Sequence, residues 1–185
     1  MIQRELVERA RRGDHDAFAE LAGTTITRLD AVARLILRDR ELARDAVQET
    51  LVRAWRDLPG LRDPDRFDAW LHRLTVNACL DLTRRRRRRV SEVELEPILS
   101  VGLPDETDIL ALRDQLDRAL ARLEPEQRAV VVLRYWLDLP LPAAADALGI
   151  PLGTAKSRLH RAIAALRQTF EVDEREPEFE GGPVA

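Results

Sequence analysis

The sequence predicts an all-α protein of two small helical domains joined by an acidic flexible linker, the C-terminal domain containing a helix-turn-helix. Three observations predict this. The chain has only 8 glycines and few aromatics (4 Phe, 3 Trp, 1 Tyr), and it is dominated by Leu, Ala, Arg and Glu, a composition that favours helix over strand in almost every window. Its apolar residues recur at i, i+3, i+4 and i+7, the spacing of one buried helix face. Its charge is segmented: +5 over residues 1–90, −6 over 91–110, +3 over 111–170 and −5 over 171–185, for a net charge of −3.

The elements follow in order. Ile2 to Arg12 is amphipathic, and Gly13-Asp14 ends that helix and offers an N-cap for the next. Leu29, Val32, Ala33 and Ile36 form the stripe of a second helix. Ala43, Val47, Leu51, Ala54 and Trp55 form that of a third, which stops at Leu58-Pro59-Gly60. After the loop Leu61–Arg66, the residues Phe67, Trp70, Leu71, Leu74, Ala78 and Leu82 mark one long helix running into Arg84–Arg89. Residues 1–90 thus read as one domain. Residues 91–108 carry spaced acids, two prolines and no basic residue, the composition of a tether that keeps its neighbours apart. Residues 109–170 hold four helical stretches, Ile109–Leu123, Pro125–Trp136, Pro142–Leu148 and Thr154–Thr169, and the acidic tail 171–185 is expected to be disordered.

Several function classes are disfavoured. One cysteine, Cys79, cannot build a disulfide framework or a thiolate zinc cluster. His15, His72 and His160 lie 57 and 88 residues apart with no ligand-spaced partner, and there is no phosphate loop, nucleophile elbow or paired-carboxylate signature. No catalytic residue, metal or cofactor is expected, so the protein does not read as an enzyme. Charges begin at Arg4 and Glu5, which leaves no signal-peptide core, and no run approaches the ~18 apolar residues of a membrane span. A cytoplasmic protein without membrane insertion is the expectation.

The strongest local signal lies between Ala143 and Ala162. Two short helices meet at Gly149, where a helix-turn-helix needs a tight backbone, and small Ala145 allows close approach. Thr154 is expected to cap the second helix, with Ala155, Leu159, Ala162 and Leu166 as its buried stripe. Lys156, Ser157, His160, Arg161 and, near the helix start, Arg158 are left facing outward, with no acid before Glu171. That suits a recognition helix in the major groove. A plain helical hairpin with a solvated basic face is the competing reading.

Two further features concern nucleic acid. Six consecutive arginines, Arg84–Arg89, wind around a helix, so they supply phosphate affinity rather than sequence reading. Just before them Arg73, Asn77, Asp81 and Arg84 recur at three- and four-residue intervals as one polar face, able to hold an extruded base next to a proline-containing loop. Alone, this face is ordinary surface, and Trp55 and Trp70 read as core residues.

These pieces stand in the order of one family. The segments Asp45–Trp55, Phe67–Leu74 with Asn77, Asp81 and the arginines, and Gly149–Ala162 resemble the extracytoplasmic-function (ECF) sigma factors of bacterial RNA polymerase, over roughly residues 5–170. The resemblance implies a two-domain initiation factor. Asp45, Gln48 and Glu49 would meet the β′ clamp helices of the polymerase core. Arg62, Asp63, Arg66, Arg73, Asn77, Arg84 and Arg85 would engage and open the minus-ten element. Thr154, Lys156, Ser157, Arg158, His160 and Arg161 would read the minus-thirty-five element. It further implies contact with the β flap, promoter DNA as the ligand, and an anti-sigma factor as a partner. The acid–amide–acid spacing 45, 48, 49 places a negative strip on one helical turn, suited to a basic partner. The alternatives are a helix-turn-helix repressor or activator that works without polymerase, and an interaction module that sequesters a regulator.

Overall fold

The computed structural model describes residues 2–90 and 115–173, and within them every regular element is helical. Helix α1 (Ile2–Arg11) ends at Gly13, whose φ of 92° is open to glycine at little cost. Asp14 then caps α2 (His15–Leu37), accepting from Ala17 N at 3.0 Å, and Asp39 caps α3 (Arg40–Asp57) through Glu41 N and Leu42 N. A 3₁₀ turn (Leu58–Gly60) and a second (Pro64–Arg66) bracket the loop before α4 (Phe67–Val90), so the arginine run continues that helix.

The stripes close as their spacing requires. Leu29, Val32, Ala33 and Ile36 of α2, Ala43, Val47 and Ala54 of α3, and Phe67, Leu71 and Ala78 of α4 are all buried in one core with Leu6, Val7 and Ala10 of α1. Thr25, Thr50 and Thr75 are buried too. Each donates its hydroxyl to the carbonyl four residues earlier, at 2.8, 2.7 and 3.0 Å, so none of these three hydroxyls is left unpaired. Trp55 and Trp70 are half-buried. Trp55 packs between Phe18 and the ring of His15, which stacks on it at 4.4 Å.

The C-terminal module comprises α5 (residues 115–121), α6 (Pro125–Val131) running into a π-helical turn (Val132–Trp136), α7 (Leu141–Leu148) and α8 (Leu152–Asp173). Gly149 ends α7 with φ 63°, and α7, this turn and α8 form the helix-turn-helix.

Two sequence-based boundaries move. Thr154 is not the cap of the second helix: α8 begins at Leu152, and the Pro151 carbonyl accepts from Ala155 N at 3.1 Å. Proline cannot donate, so it loses nothing at a helix start, and the helix begins right behind it. At the other end α8 takes in 171–173, which composition had assigned to the tail. The tether 91–108, the first part of Ile109–Leu123 and the tail beyond 173 lie outside the described residues.

The larger difference concerns the relation of the two modules. Composition predicts bodies kept apart, yet α6 packs on α2 and α7 packs on α4, and Ala129, Val130, Leu133, Ala144, Ala147 and Leu148 join the same apolar core as α1–α4. Ala119, Leu120, Leu123 and Ala162 are also buried within the second module. Apolar side chains on α4 and α7 that would otherwise face water cover each other, and that burial favours the docked state.

Candidate functional site

The orientation of α8 is set by its apolar side. On α8, Ala155 and Ala162 are buried, and Leu159 and Leu166 pack against the core clusters. At 100° per residue this turns Lys156, Ser157, His160 and Arg161 to the opposite side, and all four are exposed. Arg158 and Thr154 are half-buried on the flanks. The helix holds its own polar groups locally: Ser157 Oγ donates to the Thr154 carbonyl at 2.9 Å, and Arg161 Nε to the Ser157 carbonyl at 3.3 Å. Lys156, Arg158, Arg161 and Arg167 make the helix cationic through residue 169, and none of the four forms an ion pair among the described residues. Such a surface offers guanidinium and ammonium donors to phosphates or base edges.

The second basic region lies on α4 and the loop before it. Asp63 caps the 3₁₀ turn by accepting from Asp65 N at 3.1 Å and pairs with Arg66 at 3.4 Å, so this carboxylate shapes the loop. Arg62 and Arg66 project from it, both exposed. On α4, Arg73 is exposed and Asn77 half-buried, one turn apart on one face, while Asp81 accepts from Arg53 at 3.1 Å and from Arg84 at 3.0 Å. The arginine run is unequal. Arg86 pairs with Asp39 at 3.2 Å, and Arg87 pairs with Glu124 and, at 3.7 Å, with Glu126. Arg85 is exposed and has no partner among the described residues.

The acidic strip lies on α3. Asp45 and Gln48 are exposed; Glu49 is half-buried and accepts from Arg53 Nε at 2.8 Å. Sequence reasoning missed the residue that continues this strip: Val52, one turn on, is 64 % exposed. An apolar side chain three and four residues beyond Glu49 and Gln48, off the Ala43/Val47/Ala54 stripe, was the available signal. It also missed Tyr135 and Trp136, 60 % and 58 % exposed at the end of the π-helical turn, with Arg134 set 5.5 Å from the Tyr135 ring centre. Adjacent exposed aromatics with an arginine are typical of protein-contact surfaces.

Of the remaining histidines, His160 belongs to the basic face, whereas His72 is buried with Nε2 unpartnered, and burial pushes it down to about 4, Arg28 adding to the fall and Asp68 opposing it. Among the described residues no helix is long and apolar enough to cross a membrane.

Comparison with known proteins bears on both modules. The family model described as sigma-70 region 2 matches residues 21–89, and that described as sigma-70, region 4 matches residues 113–166. The RNA polymerase sigma-E factor of Streptomyces avermitilis is 37% identical over 160 residues, 85% of this chain and 88% of the relative. The ECF RNA polymerase sigma factor SigM of Mycobacterium tuberculosis is 38% identical over 154 residues, 83% of this chain and 77% of the relative. Among solved structures, the sigma factor RpoE of Bartonella quintana, co-crystallised with the anti-sigma factor NepR, matches with a TM-score of 0.70 and 29% identity over 84% of this chain and 98% of that one.

Proposed function

Since this chain belongs to the sigma-70 family, in its ECF branch, we propose that it is a promoter-specificity factor: it joins core RNA polymerase, reads and opens promoter DNA, and carries no catalytic activity of its own. The observation that carries this reading is the pair of separate cationic faces, one on α8 of a helix-turn-helix and one on α4 and its preceding loop, with an acidic strip on α3.

The roles divide accordingly. Lys156, Ser157, His160 and Arg161, flanked by Thr154 and Arg158, enter the major groove of the minus-thirty-five element. In the module of residues 1–90, Arg62, Arg66, Arg73 and Asn77 hold the minus-ten element as its strands part, and Arg84 and Arg85 hold phosphates; Asp63 acts indirectly, by shaping the loop. Asp45, Gln48 and Glu49 meet the basic β′ clamp helices, with Val52 adding apolar contact, and the module of residues 109–170 meets the β flap. An anti-sigma partner is part of the reading, supported by the similarity to RpoE of Bartonella quintana, which was co-crystallised with the anti-sigma factor NepR. The protein acts in the cytoplasm, where polymerase works.

Reconstitution with core polymerase on a panel of promoters tests the reading. Promoter-dependent initiation and core binding are expected; tight, specific duplex binding by the free chain with no core binding would instead indicate a polymerase-independent regulator.

A further inference from the structure

We propose that the N-terminal turn of α1 is a brace for the minus-ten loop: Arg4 and Gln3, with Arg28 of α2, are positioning residues that fix Leu61–Arg66 and the first turn of α4, and so set which base the first module accepts as the strands part. The proposal rests on the promoter-factor reading. Gln3 and Arg4 lie before residue 21, where the match to sigma-70 region 2 begins.

The loop is anchored from below at every third residue. Leu61, Pro64 and Phe67 are buried, which leaves Arg62, Asp63, Asp65 and Arg66 exposed. Apolar burial holds the loop on the core but is non-directional, so it does not fix how the exposed side is aimed. Within the loop, the Asp65 and Arg66 amides donate to the Asp63 side chain and carbonyl, each at 3.1 Å. These bonds shape the turn without tying it to the rest of the module.

The directional contacts come from α1 and α2. Arg4 donates to Asp65 at 2.8 Å and to Glu8, one turn along its own helix, at 3.3 Å, so Glu8 helps to orient the guanidinium towards the loop. One residue earlier, Gln3 donates to Asp68 in the first turn of α4 at 3.0 Å, and Arg28 donates to the same carboxylate at 2.8 Å. Three side chains from two helices thus converge on two carboxylates that flank the junction of loop and helix. Leu6, Val7 and Ala10 are buried, which fixes α1 to the core and lets the brace act from a rigid element.

The brace also settles the charge of the loop. Its exposed side carries two arginines and two carboxylates, and an uncompensated carboxylate there repels an approaching phosphate. Asp63 is taken up by Arg66 and the Asp65 amide, and Asp65 by Arg4. Arg62, which forms no ion pair among the described residues, is left as the loop's cation for the strand. The Arg4–Asp65 and Arg28–Asp68 pairs are both solvent-exposed and contribute little to stability, so the brace can be removed from a chain that still folds.

The test uses holoenzyme formed from core polymerase and the full chain, unaltered or carrying Gln3→Ala with Arg4→Ala, Arg4→Glu alone, or the reversed pair Arg4→Glu with Asp65→Arg. Core binding is measured by titration, and opening by the fluorescence of 2-aminopurine placed in the minus-ten element. Base choice is read from the opening rates of promoters that differ at one minus-ten position at a time. Core affinity should match that of the unaltered chain throughout. Both disrupted variants should open the preferred promoter about tenfold more slowly, the scale on which misplacing a binding group by a fraction of an ångström acts, and should lose most of the preference among bases. The reversed pair should recover both. Unchanged opening and preference overturns the brace, as does a loss of core affinity in step with opening. Slower opening with the preference kept, a weaker dependence on salt and no recovery by the reversed pair would show Arg4 holding phosphate directly, which also overturns it. If the unaltered chain opens no promoter, the promoter-factor reading fails and the role in base choice with it, while amide exchange at Asp65 and Arg66 in the free chain still decides whether the loop is held.

Discussion

Arg53 of α3 donates to Asp81 of α4 at 3.1 Å while also holding Glu49 at 2.8 Å on its own helix, with its side chain only 19 % exposed. One guanidinium therefore ties the acidic strip proposed for polymerase to the polar face proposed for the minus-ten element. Arg53→Ala is expected to destabilise the first module by about 1–3 kcal/mol, since it leaves Glu49 without its donor and Asp81 with Arg84 alone. Chemical denaturation measures this. Arg53→Lys should recover only part of the loss, because a single ammonium does not reproduce the two-armed geometry. Full recovery would mean that charge alone holds the contact.

His72 sets an acid limit. Its folded-state pKa is lowered from 6.5 to about 4 by burial, so between those values the unfolded chain takes up a proton that the folded chain refuses. Stability is whole above about pH 6.5, falls as pH drops towards 4, and has no further slope from this group below that. A shift of this size amounts to about 3 kcal/mol in full, of which about 2 kcal/mol is lost by pH 5. Urea unfolding at pH 7.5 and pH 5 should show a loss that much larger in the native chain than in His72→Phe. Equal losses would place the acid sensitivity elsewhere.

How much of this was legible in the sequence follows from which atoms do the holding. Where the signal is side-chain spacing, the reading matched: the Leu29/Val32/Ala33/Ile36 stripe, the Asp14 cap, the Gly149 turn and, of the five residues expected to face outward, Lys156, Ser157, His160 and Arg161, whereas Arg158 is half-buried on the flank. Where a side chain meets a backbone carbonyl far along the chain, there is no pattern to read. Arg128 looks like any surface arginine in Glu124-Pro125-Glu126-Gln127-Arg128, and only tertiary packing brings it to the Ile36 carbonyl, 92 positions away. Docking of the modules was hidden for the same reason: the alanines of α7 register as a helix-turn-helix face, and nothing local tells that Ala144 and Ala147 also meet the first module's core. Thr154 misled because a favourable cap residue was read without its neighbour, and Pro151 started the helix earlier.

Cys79 is expected to be inert in the folded chain. It is fully buried on α4, and burial pushes its thiol up to about 12, so almost no thiolate exists at neutral pH and none can be reached. Labelling by a thiol-exchange reagent should be far slower in buffer than in denaturant, with a rate that follows global unfolding. Rapid labelling of the native chain would show that α4 opens locally, and would make the cysteine a reporter of that motion.

The two cationic faces should respond differently to sequence and to salt. Arg161 is exposed on α8 with its Nε on the Ser157 carbonyl, which leaves its terminal nitrogens free to meet a base edge. Arg161→Ala in the assembled holoenzyme is therefore expected to cost about 1–3 kcal/mol on a promoter with the preferred minus-thirty-five element and little on one where that element is scrambled. Arg85 stands exposed in a run whose neighbours Arg86 and Arg87 are already paired, so it is the arginine expected to meet phosphate as a bare cation. Arg85→Ala should weaken binding to both promoters alike and lower the slope of log affinity against log salt by about 0.7–0.9, the loss of one phosphate contact. Titrating both variants on both promoters at several salt concentrations separates the roles. If Arg161→Ala instead lowers the salt slope and leaves the preference for the intact element unchanged, it holds the backbone, and sequence reading falls to Lys156, Ser157 and His160.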